Sequence, residues 1–423
     1  MSKRRYNSIE FKRVDWQQVQ EQITGPRVVF AVDVAKEKFV ATLLDDEQQG
    51  LVTFKWVHPR ESAEVIERMS ALAQSRAVEA VMEPSGTYGD GLGWLLREAG
   101  IPLYRLSPKR VHDAAEVYDG VPSLHDAKAA YLIGRLHLQG VSQRWPAPSA
   151  QRRELMARLS RLSLLKERQQ AGLNRLEAHL SRHWPESLSL MGLGSVSLHA
   201  LMAQYGDAES VRTDPEGAEA LLRRIGHAGL SVEKIRALLV SAEHSVGVPC
   251  LEAERVLLQW LAADINQTHR QLREVEHALE QRVEQTPELS ERGEVLGKVT
   301  AAVLSGALGS PQSYPDTGSY LKAMGLNLKE RSSGKHQGQL KITQRGPSVA
   351  RFYLYFAALR LIARDPTVQR WYALKTHRPG ALKNKTVIEL MRQLAKALWH
   401  VARGARFAPE KRFNLRAVAE AAA

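Results

Sequence analysis

Compact apolar runs in the first quarter of the chain predict strands separated by helices. Five runs have strand character: 28–33 (VVFAVD), 39–45 (FVATLLD), 51–57 (LVTFKWV), 78–83 (VEAVME) and 101–106 (IPLYRL). The apolar spacing of residues 61–76 and 89–99 is helical. The order β-β-β-α-β-α-β predicts an α/β domain with a mixed sheet, in which the first three strands form a meander and helices connect the later strands.

From Ala150 onward, leucines recur at helical spacing in two long, charged segments. The first stripe is Leu155, Leu159, Leu162, Leu173, Leu176 and Leu180, and the second is Leu258, Leu261, Ile265, Leu272, Val275 and Leu279. Two helices with such seams predict an antiparallel coiled coil, with residues 184–250 as a helical insert at its tip. An ordinary helical bundle has the same pattern, and self-association through the seams stays open.

A third region begins near Glu291 and is also mainly helical. The segment GEVLGKVTAAVLSGALG predicts a glycine turn between helices, which could present backbone N–H groups to phosphate. Residues 318–345 are rich in Gly, Ser, Lys and Arg, and a helix from about 347 to 364 and a basic helical tail to Phe407 follow. The whole chain therefore predicts an α/β domain followed by all-α regions.

Composition narrows the partners. A chain of 423 residues is longer than one hydrophobic core usually organises, so we expect two or three domains. The net charge of +13 predicts an electric field that attracts nucleic acid or, as a second candidate, an anionic membrane surface. No apolar run approaches the roughly 20 residues that cross a bilayer, and the first residues lack the apolar core of a signal peptide. We therefore expect a cytoplasmic protein with no membrane partner. The single cysteine, Cys250, permits no internal disulfide and no zinc site made of cysteines, which leaves it a packing role.

Two carboxylates stand at predicted strand ends. Asp33 ends the first strand and Glu83 ends the fourth. Ribonuclease-H-like domains have this order of elements, and in such a fold these strand ends are neighbours. Asp126, at the start of a predicted helix, offers a third carboxylate, although a helix N-cap is its ordinary alternative. Oxygen ligands of this kind suit Mg²⁺ or Mn²⁺, and paired ions can stabilise a phosphodiester displacement.

Four motifs in order carry a resemblance to a known family: AVDVAKEKF, MEPSGTYG, HDAKAA and GLNLKERSSGKHQGQLKITQRG. The chain resembles, over nearly its whole length, the bridge-RNA-guided insertion-sequence recombinases, also called DEDD transposases, and their Piv-type invertase relatives. The resemblance implies a RuvC-like domain with Asp, Glu, Asp and Asp, of which Asp33, Glu83 and Asp126 match the first three. The fourth is expected three residues after the third, where this chain has Ala129. Asp119 is our substitute candidate, with a plain turn aspartate as its alternative.

The resemblance also implies a catalytic serine, which falls on Ser333, with Ser332 as the adjacent alternative. A serine hydroxyl needs a base or a metal to activate it. The resemblance implies a composite active site whose halves come from different protomers, in dimers that assemble to a tetramer. On sequence chemistry alone, both serines belong to a Ser-Gly-Lys loop.

Basic residues surround this serine and continue beyond it. We expect phosphate contacts, which position nucleic acid without specifying sequence, from Lys329, Arg331, Lys335, Lys341, Arg345, Lys375, His377, Arg378, Lys383 and Lys385. A solvated basic face is the alternative. No base-reading element is evident, which agrees with a family in which a structured non-coding RNA pairs with target and donor DNA.

The resemblance divides the chain into five regions: a basic extension (1–26), a RuvC-like domain (27–148), coiled-coil helices with an insert (149–288), a transposase domain (289–410) and a flexible tail (411–423). The expected function is DNA cleavage and rejoining through a phosphoserine, in a bacterial protein that acts at the nucleoid. A RuvC-like nuclease or junction resolvase that uses water, and an inactive nucleic-acid-binding regulator, are the alternatives. Transposase and invertase roles stay open.

Overall fold

A computed structural model describes residues 6–47, 50–84, 86–226, 229–333, 336–377, 380–413 and 415, with the backbone alone at 331–333, 336, 337 and 339. The chain divides into two compact units, Met1–Pro148 and Ser149–Ala423. The first is a mixed α/β unit and the second is mostly helical, as the sequence predicts.

The first unit contains a sheet with helices on both faces. Its strands are β1 (Ile9–Glu10), β2 (Arg27–Asp33), β3 (Lys38–Asp45), β4 (Gly50–Val57), β5 (Ala77–Met82), β6 (Leu103–Arg105) and β7 (Gln143–Arg144). Its helices are α1 (Trp16–Gln22), α2 (Ser62–Ala73), α3 (Asp90–Glu98), α4 (Pro108–Asp113) and α5 (Asp126–Leu138). The segment β2 to β6 has the predicted β-β-β-α-β-α-β order.

The described strands form one sheet in the order β1-β4-β3-β2-β5-β6-β7. β2, β3 and β4 form the predicted antiparallel meander, and β5 and β6 are parallel to β2. β1 adds a parallel strand beside β4, and β7 pairs antiparallel with β6. Because β2 is a central strand, both of its faces are buried.

Alternate residues of β2 therefore belong to two different cores. Val28, Phe30 and Val32 share a core with apolar residues of α2 and α3. Val29 and Ala31 share the opposite core with Leu132, Ile133 and Leu136 of α5, together with Val111 of α4. Since side chains alternate along a strand, Asp33 belongs to the face that α5 covers.

A glycine lets α5 lie close to that face. A Cβ at Gly134 would lie 2.2 Å from Cδ1 of Leu44 and 3.0 Å from Cβ of Ala31. A side chain here would force either the buried side chain of Leu44 or the helix itself to move. Gly134 therefore helps to fix the distance between the sheet and the helix that begins at Asp126.

The predicted basic extension is instead partly folded into the sheet unit. Phe11, Val14, Val19 and Ile23 are buried in the same core as α2 and α3. The rings of Phe11 and Phe54 lie 5.7 Å apart. Apolar burial of this kind, rather than charge, is what holds residues 9–23 against the domain.

The second unit is built around two long helices, α6 (Ala150–His183) and α12 (Glu252–Glu284). The chain between them forms α7 (Pro185–Leu190), α8 (Val196–Tyr205), α9 (Ala208–Thr213), α10 (Pro215–Gly226) and α11 (Val232–Glu243). This is the helical insert that the sequence predicts. Beyond α12 lie α13 (Pro287–Leu296), α14 (Lys298–Leu308), α15 (Thr317–Ala323), β8 (Leu328–Ser333), β9 (His336–Ile342), α16 (Ser348–Arg364), α17 (Pro366–Thr376), α18 (Lys383–Val401) and α19 (Pro409–Arg412).

The two long helices pack antiparallel along their leucine stripes. Leu159 and Leu162, early in α6, share a core with Leu279, late in α12. Leu180, at the other end of α6, shares a core with Leu258, early in α12. An ion pair of 3.0 Å between Lys166 and Glu276 joins the two helices outside these cores.

The region after α12 does not separate from the long helices as its own compact unit. Ala302 and Val303 of α14 belong to the same core as Leu159, so the expected division at residue 288 is not a gap in packing. Residue 413 also departs from the expected flexible tail, because Phe413 is buried and its ring lies 5.3 Å from that of Trp371.

In the described part of the chain, no helix combines the length and apolarity that crossing a membrane requires.

Candidate active site

The ends of β2 and β5 bring Asp33 and Glu83 side by side. The parallel register pairs Val32 with Met82; Asp33 is the last residue of β2, and Glu83 is the first residue after β5. Glu83 is two residues after Val81, which belongs to the core under α5. Asp33 therefore lies on the sheet face that α5 covers, and Glu83 is close enough to raise the pKa of Asp33.

Asp126 comes to this place from the helix. It is the first residue of α5, and His125 is the N-cap, so the expected alternative of an N-cap aspartate is not what the structure has. No side-chain cap hydrogen bond closes this helix end. A carboxylate in the first turn is favourable because the partial positive charge of a helix N-terminus lies there.

The charges of Glu83 and Asp126 both act on Asp33. The pKa of Asp33 is raised to about 6, first by burial and then by the negative charges of Asp126 and Glu83, while a hydrogen bond from the backbone N–H of Val34 opposes the rise. Burial also raises the pKa of Glu83. Carboxylates held together in this way gain from a bound cation.

The donor set fits hard divalent ions. Asp33, Glu83 and Asp126 offer oxygen ligands, which Mg²⁺ and Mn²⁺ prefer. Although all three are described, their oxygens do not all lie within 4.8 Å of one another. Oxygens that all bind a single ion would lie closer together than this. Two ions about 3.5–4 Å apart require ligand oxygens that are farther apart, as these are.

Position 129 supplies no fourth carboxylate, and the structure does not bring Asp119 to the site. Ala129 is buried. Asp119 instead accepts a hydrogen bond of 2.8 Å from the ammonium group of Lys128, which also donates to the carbonyl of Val121 at 2.7 Å. Lys128 is 2% exposed, so this is a buried ion pair. Asp119 is not among the charges that raise the pKa of Asp33.

A basic cleft beside Glu83 was missed by sequence reasoning. It has a volume of about 340 Å³ and is lined by Pro84, Arg105, Ser107 and Arg110, among others. Arg105 ends β6, the neighbour of β5, so its strand-end position was the available signal. Two guanidinium groups in a cleft that also includes Pro84, the residue after Glu83, are suited to holding a phosphate.

The structure places Ser333 at the end of a strand rather than inside a loop. β8 and β9 form an antiparallel hairpin, in which Ser333 pairs with His336. The side chains of Ser332, Ser333 and Arg331 lie outside the described residues, as does Lys335. The hairpin itself was not predicted from the sequence.

Three predicted phosphate-binding residues line one cleft in the second unit. Lys329, Lys341 and Lys385 surround a space of about 660 Å³, together with Arg392 and Lys396, which sequence reasoning did not name. The cleft lies between the hairpin and α18, so its charges come from segments that are distant in sequence.

The other predicted phosphate-binding residues that the structure describes do not line this cleft. Arg345 and Lys383 are exposed, whereas Lys375 pairs with Glu389 and lies 5.0 Å from the ring of Trp371. The ring of His377 donates a hydrogen bond from Nδ1 to the carbonyl oxygen of Ala373 at 2.7 Å, four residues earlier in the chain. Arg378 lies outside the described residues.

Comparison with known proteins identifies two transposase families. Residues 30–185 match the DEDD transposase family of IS110 type, and residues 293–373 match the transposase IS116/IS110/IS902 family. Together the matches span more than half of the chain and include Asp33, Glu83, Asp126 and Ser333. None of the curated proteins compared matches the chain. Among solved structures, the ethanolamine utilization protein EutJ from Carboxydothermus hydrogenoformans aligns at 13% identity over 59% of this chain and 97% of its own, with a TM-score of 0.18.

Proposed function

Because this chain belongs to the IS110-type family of insertion-sequence transposases, we propose that it cleaves and rejoins DNA through a covalent 5′-phosphoserine at Ser333. Family membership makes it a DNA-binding transposase of a kind that depends on divalent metal. The observation that carries the rest is the meeting of Asp33, Glu83 and Asp126 at the ends of β2 and β5 and the start of α5.

We assign the metal site to these three carboxylates. Asp33, Glu83 and Asp126 would hold Mg²⁺ or Mn²⁺, and bound ions supply Lewis-acid activation and offset the negative charge of the reacting phosphate. Arg105 and Arg110 would hold a flanking phosphate. Asp119 is not proposed as a ligand, because its carboxylate pairs with Lys128.

The chemical step conserves phosphoester bonds. The hydroxyl of Ser333 loses its proton, its Oγ bonds to phosphorus, the bond from phosphorus to the 3′ oxygen breaks, and that oxygen takes up a proton. A new 3′ hydroxyl then reverses the step on another strand. Because the number of phosphoester bonds does not change, rejoining needs no ATP.

The finer parts of the proposal concern architecture and guidance. The strand order of the sheet supports a RuvC-like, ribonuclease-H-like domain in residues 27–148, and the antiparallel α6 and α12 support a coiled coil. We further propose that a structured non-coding RNA pairs with target and donor DNA, and that dimers assemble to a tetramer in which one protomer's Ser333 serves another's carboxylates. The net charge of +13 supports a polyanionic guide.

One experiment tests this function. Wild-type protein with its RNA is incubated with labelled DNA, and denaturing electrophoresis detects label that migrates with the polypeptide and disappears on proteolysis. We expect an adduct from wild type and from Ser332→Ala, and none from Ser333→Ala. Chelation by EDTA and prior RNase treatment should each abolish site-specific adduct formation.

The outcomes separate the parts of the proposal. An adduct from Ser333→Ala would show that the serine is wrong, and cleavage by wild type without any adduct would favour a water-using nuclease. If the protein still chose the same DNA site after RNase treatment, only the guide-RNA part of the proposal would be wrong. The absence of a carboxylate at Ala129 favours a second candidate, a regulator that binds nucleic acid without cutting it, and wild type that binds DNA but never cleaves would support that candidate.

A further inference from the structure

A second cluster of metal-ligating side chains lies where the helical insert leaves and rejoins the two long helices. His183 is the last residue of α6, Cys250 lies two residues before α12, and Glu254 is in the first turn of α12. The side-chain ligand atoms of these three residues all lie within 4.8 Å of one another. Among the described residues, no other group of three such side chains is as close.

The ring of His183 presents a buried nitrogen to this cluster. Its side chain is 1% exposed. Nδ1 lies 2.8 Å from the carbonyl oxygen of Val248, and since a carbonyl can only accept, Nδ1 carries the proton and donates. Nε2 therefore has a lone pair, and within the described part of the chain it has no hydrogen-bond partner. A buried acceptor without a partner is uncommon and calls for a ligand.

The other ligand atoms face the same point. Nε2 of His183 lies 3.8 Å from Oε1 of Glu254. Ligand atoms around a tetrahedral zinc ion are about 3.4 Å apart, as bonds of about 2.1 Å require. The nitrogen and the oxygen are therefore only a few tenths of an ångström farther apart than a zinc ion requires, and Sγ of Cys250 lies within 4.8 Å of both. The second oxygen of Glu254 is held by the backbone N–H of Leu251 at 2.9 Å, which orients the carboxylate.

The loop that carries Cys250 is fixed against the end of α6. The backbone N–H of Val248 donates to the carbonyl of Arg182 at 2.8 Å. Gly247 lies so close that a Cβ there would be 2.1 Å from the carbonyl oxygen of His183. Glu186 accepts from the hydroxyl of Ser245 at 2.8 Å and from the N–H of Val246 at 2.9 Å. These contacts place the ligands before any ion binds.

We propose that His183 Nε2, Cys250 Sγ and Glu254 Oε1 form a site for Zn²⁺ or a similar transition-metal ion, with water in the fourth position. On binding, the thiol proton passes to solvent and the sulfur coordinates as thiolate. Nitrogen and sulfur donors favour such ions over Mg²⁺, so this site differs in chemistry from the carboxylates of the first unit. The ion would join the two ends of the insert, closing residues 184–249 into a loop. The inference does not depend on the proposed transposition chemistry.

Cobalt provides the test, because Co²⁺ occupies zinc sites and absorbs light. The full chain, without an affinity tag and stripped of metal with EDTA, is titrated with Co²⁺ and then with Zn²⁺. We expect one equivalent of Co²⁺ to give a thiolate-to-cobalt charge-transfer band in the near ultraviolet, which Zn²⁺ abolishes. Oxygen ligands do not give this band, so ions at Asp33, Glu83 and Asp126 do not interfere. Zn²⁺ at about 100 times its Kd should raise the melting temperature of the second unit by about 5 °C.

Matched variants separate this site from adventitious binding. Cys250→Ser should abolish the band and the rise in melting temperature, and Glu254→Gln should weaken binding of Co²⁺ at least about tenfold, as expected for loss of a charged ligand. His244→Ala removes a histidine of the same insert whose side chain is 77% exposed, and it should leave both readouts unchanged. A wild-type chain that gives no charge-transfer band, or a band that survives in Cys250→Ser, would overturn the proposal.

Discussion

At Asp33 the fold holds a carboxylate where its charge is unfavourable. The residue ends a buried strand and faces Glu83 and Asp126, so its pKa rises from 3.8 to about 6. Near neutral pH the site is negative and unneutralised unless a cation binds. The same feature that costs stability in the metal-free protein therefore creates affinity for divalent ions.

We expect Asp33→Asn to stabilise the metal-free protein while it abolishes cleavage. The pKa of Asp33 is higher in the folded state than in the unfolded state. Its contribution to the free energy of unfolding is therefore retained below about pH 4 and lost as pH rises through about 6. The variant should gain about 1–2 kcal/mol over wild type at pH 8, after allowance for solvent screening, and almost nothing at pH 4. Urea denaturation in EDTA measures the difference. Lower stability of Asp33→Asn at pH 8 would contradict this account.

Asp119 presents the opposite case, a carboxylate that is already neutralised. We expect Asp119→Ala to destabilise the protein by about 2–4 kcal/mol, because it leaves the buried ammonium of Lys128 without its counter-ion. The control, Asp113→Ala, breaks an exposed pair with Lys109 and should cost less than about 1 kcal/mol. Affinity for Mn²⁺ should stay within about twofold of wild type. A tenfold loss would restore Asp119 as a metal ligand.

The positions of the site residues could be predicted from the sequence at the strand ends, whereas the contacts of Lys128 in α5 could not. Asp33 and Glu83 follow compact apolar runs, so their meeting follows from strand order alone. Lys128 looks like an ordinary helix-surface lysine in the sequence. Its burial depends on the turn at 119–121, which folds over the helix, and no local pattern contains that contact.

At the scale of elements, α5 positions the third carboxylate, and its distance from the sheet depends on Gly134. We expect Gly134→Ala to destabilise the first unit by about 1–3 kcal/mol, because the new methyl group meets Leu44 and Ala31. Movement of the helix should also weaken Mn²⁺ binding at Asp126. Thermal unfolding and Mn²⁺ titration measure the two effects.

The control for this prediction is Gly91→Ala in α3. Gly91 is exposed, and its nearest neighbour would be the ring of His58 at 3.5 Å, an ordinary contact. Alanine is the better helix former by up to about 1 kcal/mol, so this variant should be neutral or stabilising. Equal destabilisation by the two variants would show that close packing at Gly134 is not the cause.

Long periodic elements were predicted correctly and short ones were missed. The strands β2 to β5 and the stripes of α6 and α12 contain enough residues for their periods to be visible in the sequence, and β6, with three residues, was predicted because it lies within the longer apolar run 101–106. β1 has two residues, and the segment around Phe11 is held by contacts with Phe54 that only the folded sheet creates. The β8–β9 hairpin is polar and glycine-containing, so its strands have little apolar alternation to detect.

At the scale of the whole molecule, folding brings part of the excess of 13 positive charges together from segments that are distant in sequence. Lys329 and Lys341 come from the hairpin, whereas Lys385 comes from α18. A continuous charged cleft binds a phosphate backbone better than the same charges scattered over the surface, because several counter-ions are released at once. The sequence predicts which residues are basic, but only the fold determines which of them act together.

The salt dependence of DNA binding should therefore distinguish cleft lysines from paired ones. A lysine that neutralises a phosphate contributes about 0.9 to the slope of log K against log salt for duplex DNA. We expect Lys341→Ala and Lys385→Ala each to reduce the slope by about that amount, and the double variant to reduce it by about twice as much. Lys166→Ala is the matched control, because its ammonium pairs with Glu276, neither residue lines the cleft, and its removal should change the slope by less than about 0.3. Fluorescence anisotropy of RNA-free protein with a labelled duplex, across a series of salt concentrations, gives the slopes of wild type and of all four variants. If Lys166→Ala lowers the slope as much as the cleft variants do, binding follows net charge alone and the cleft has no special part in it.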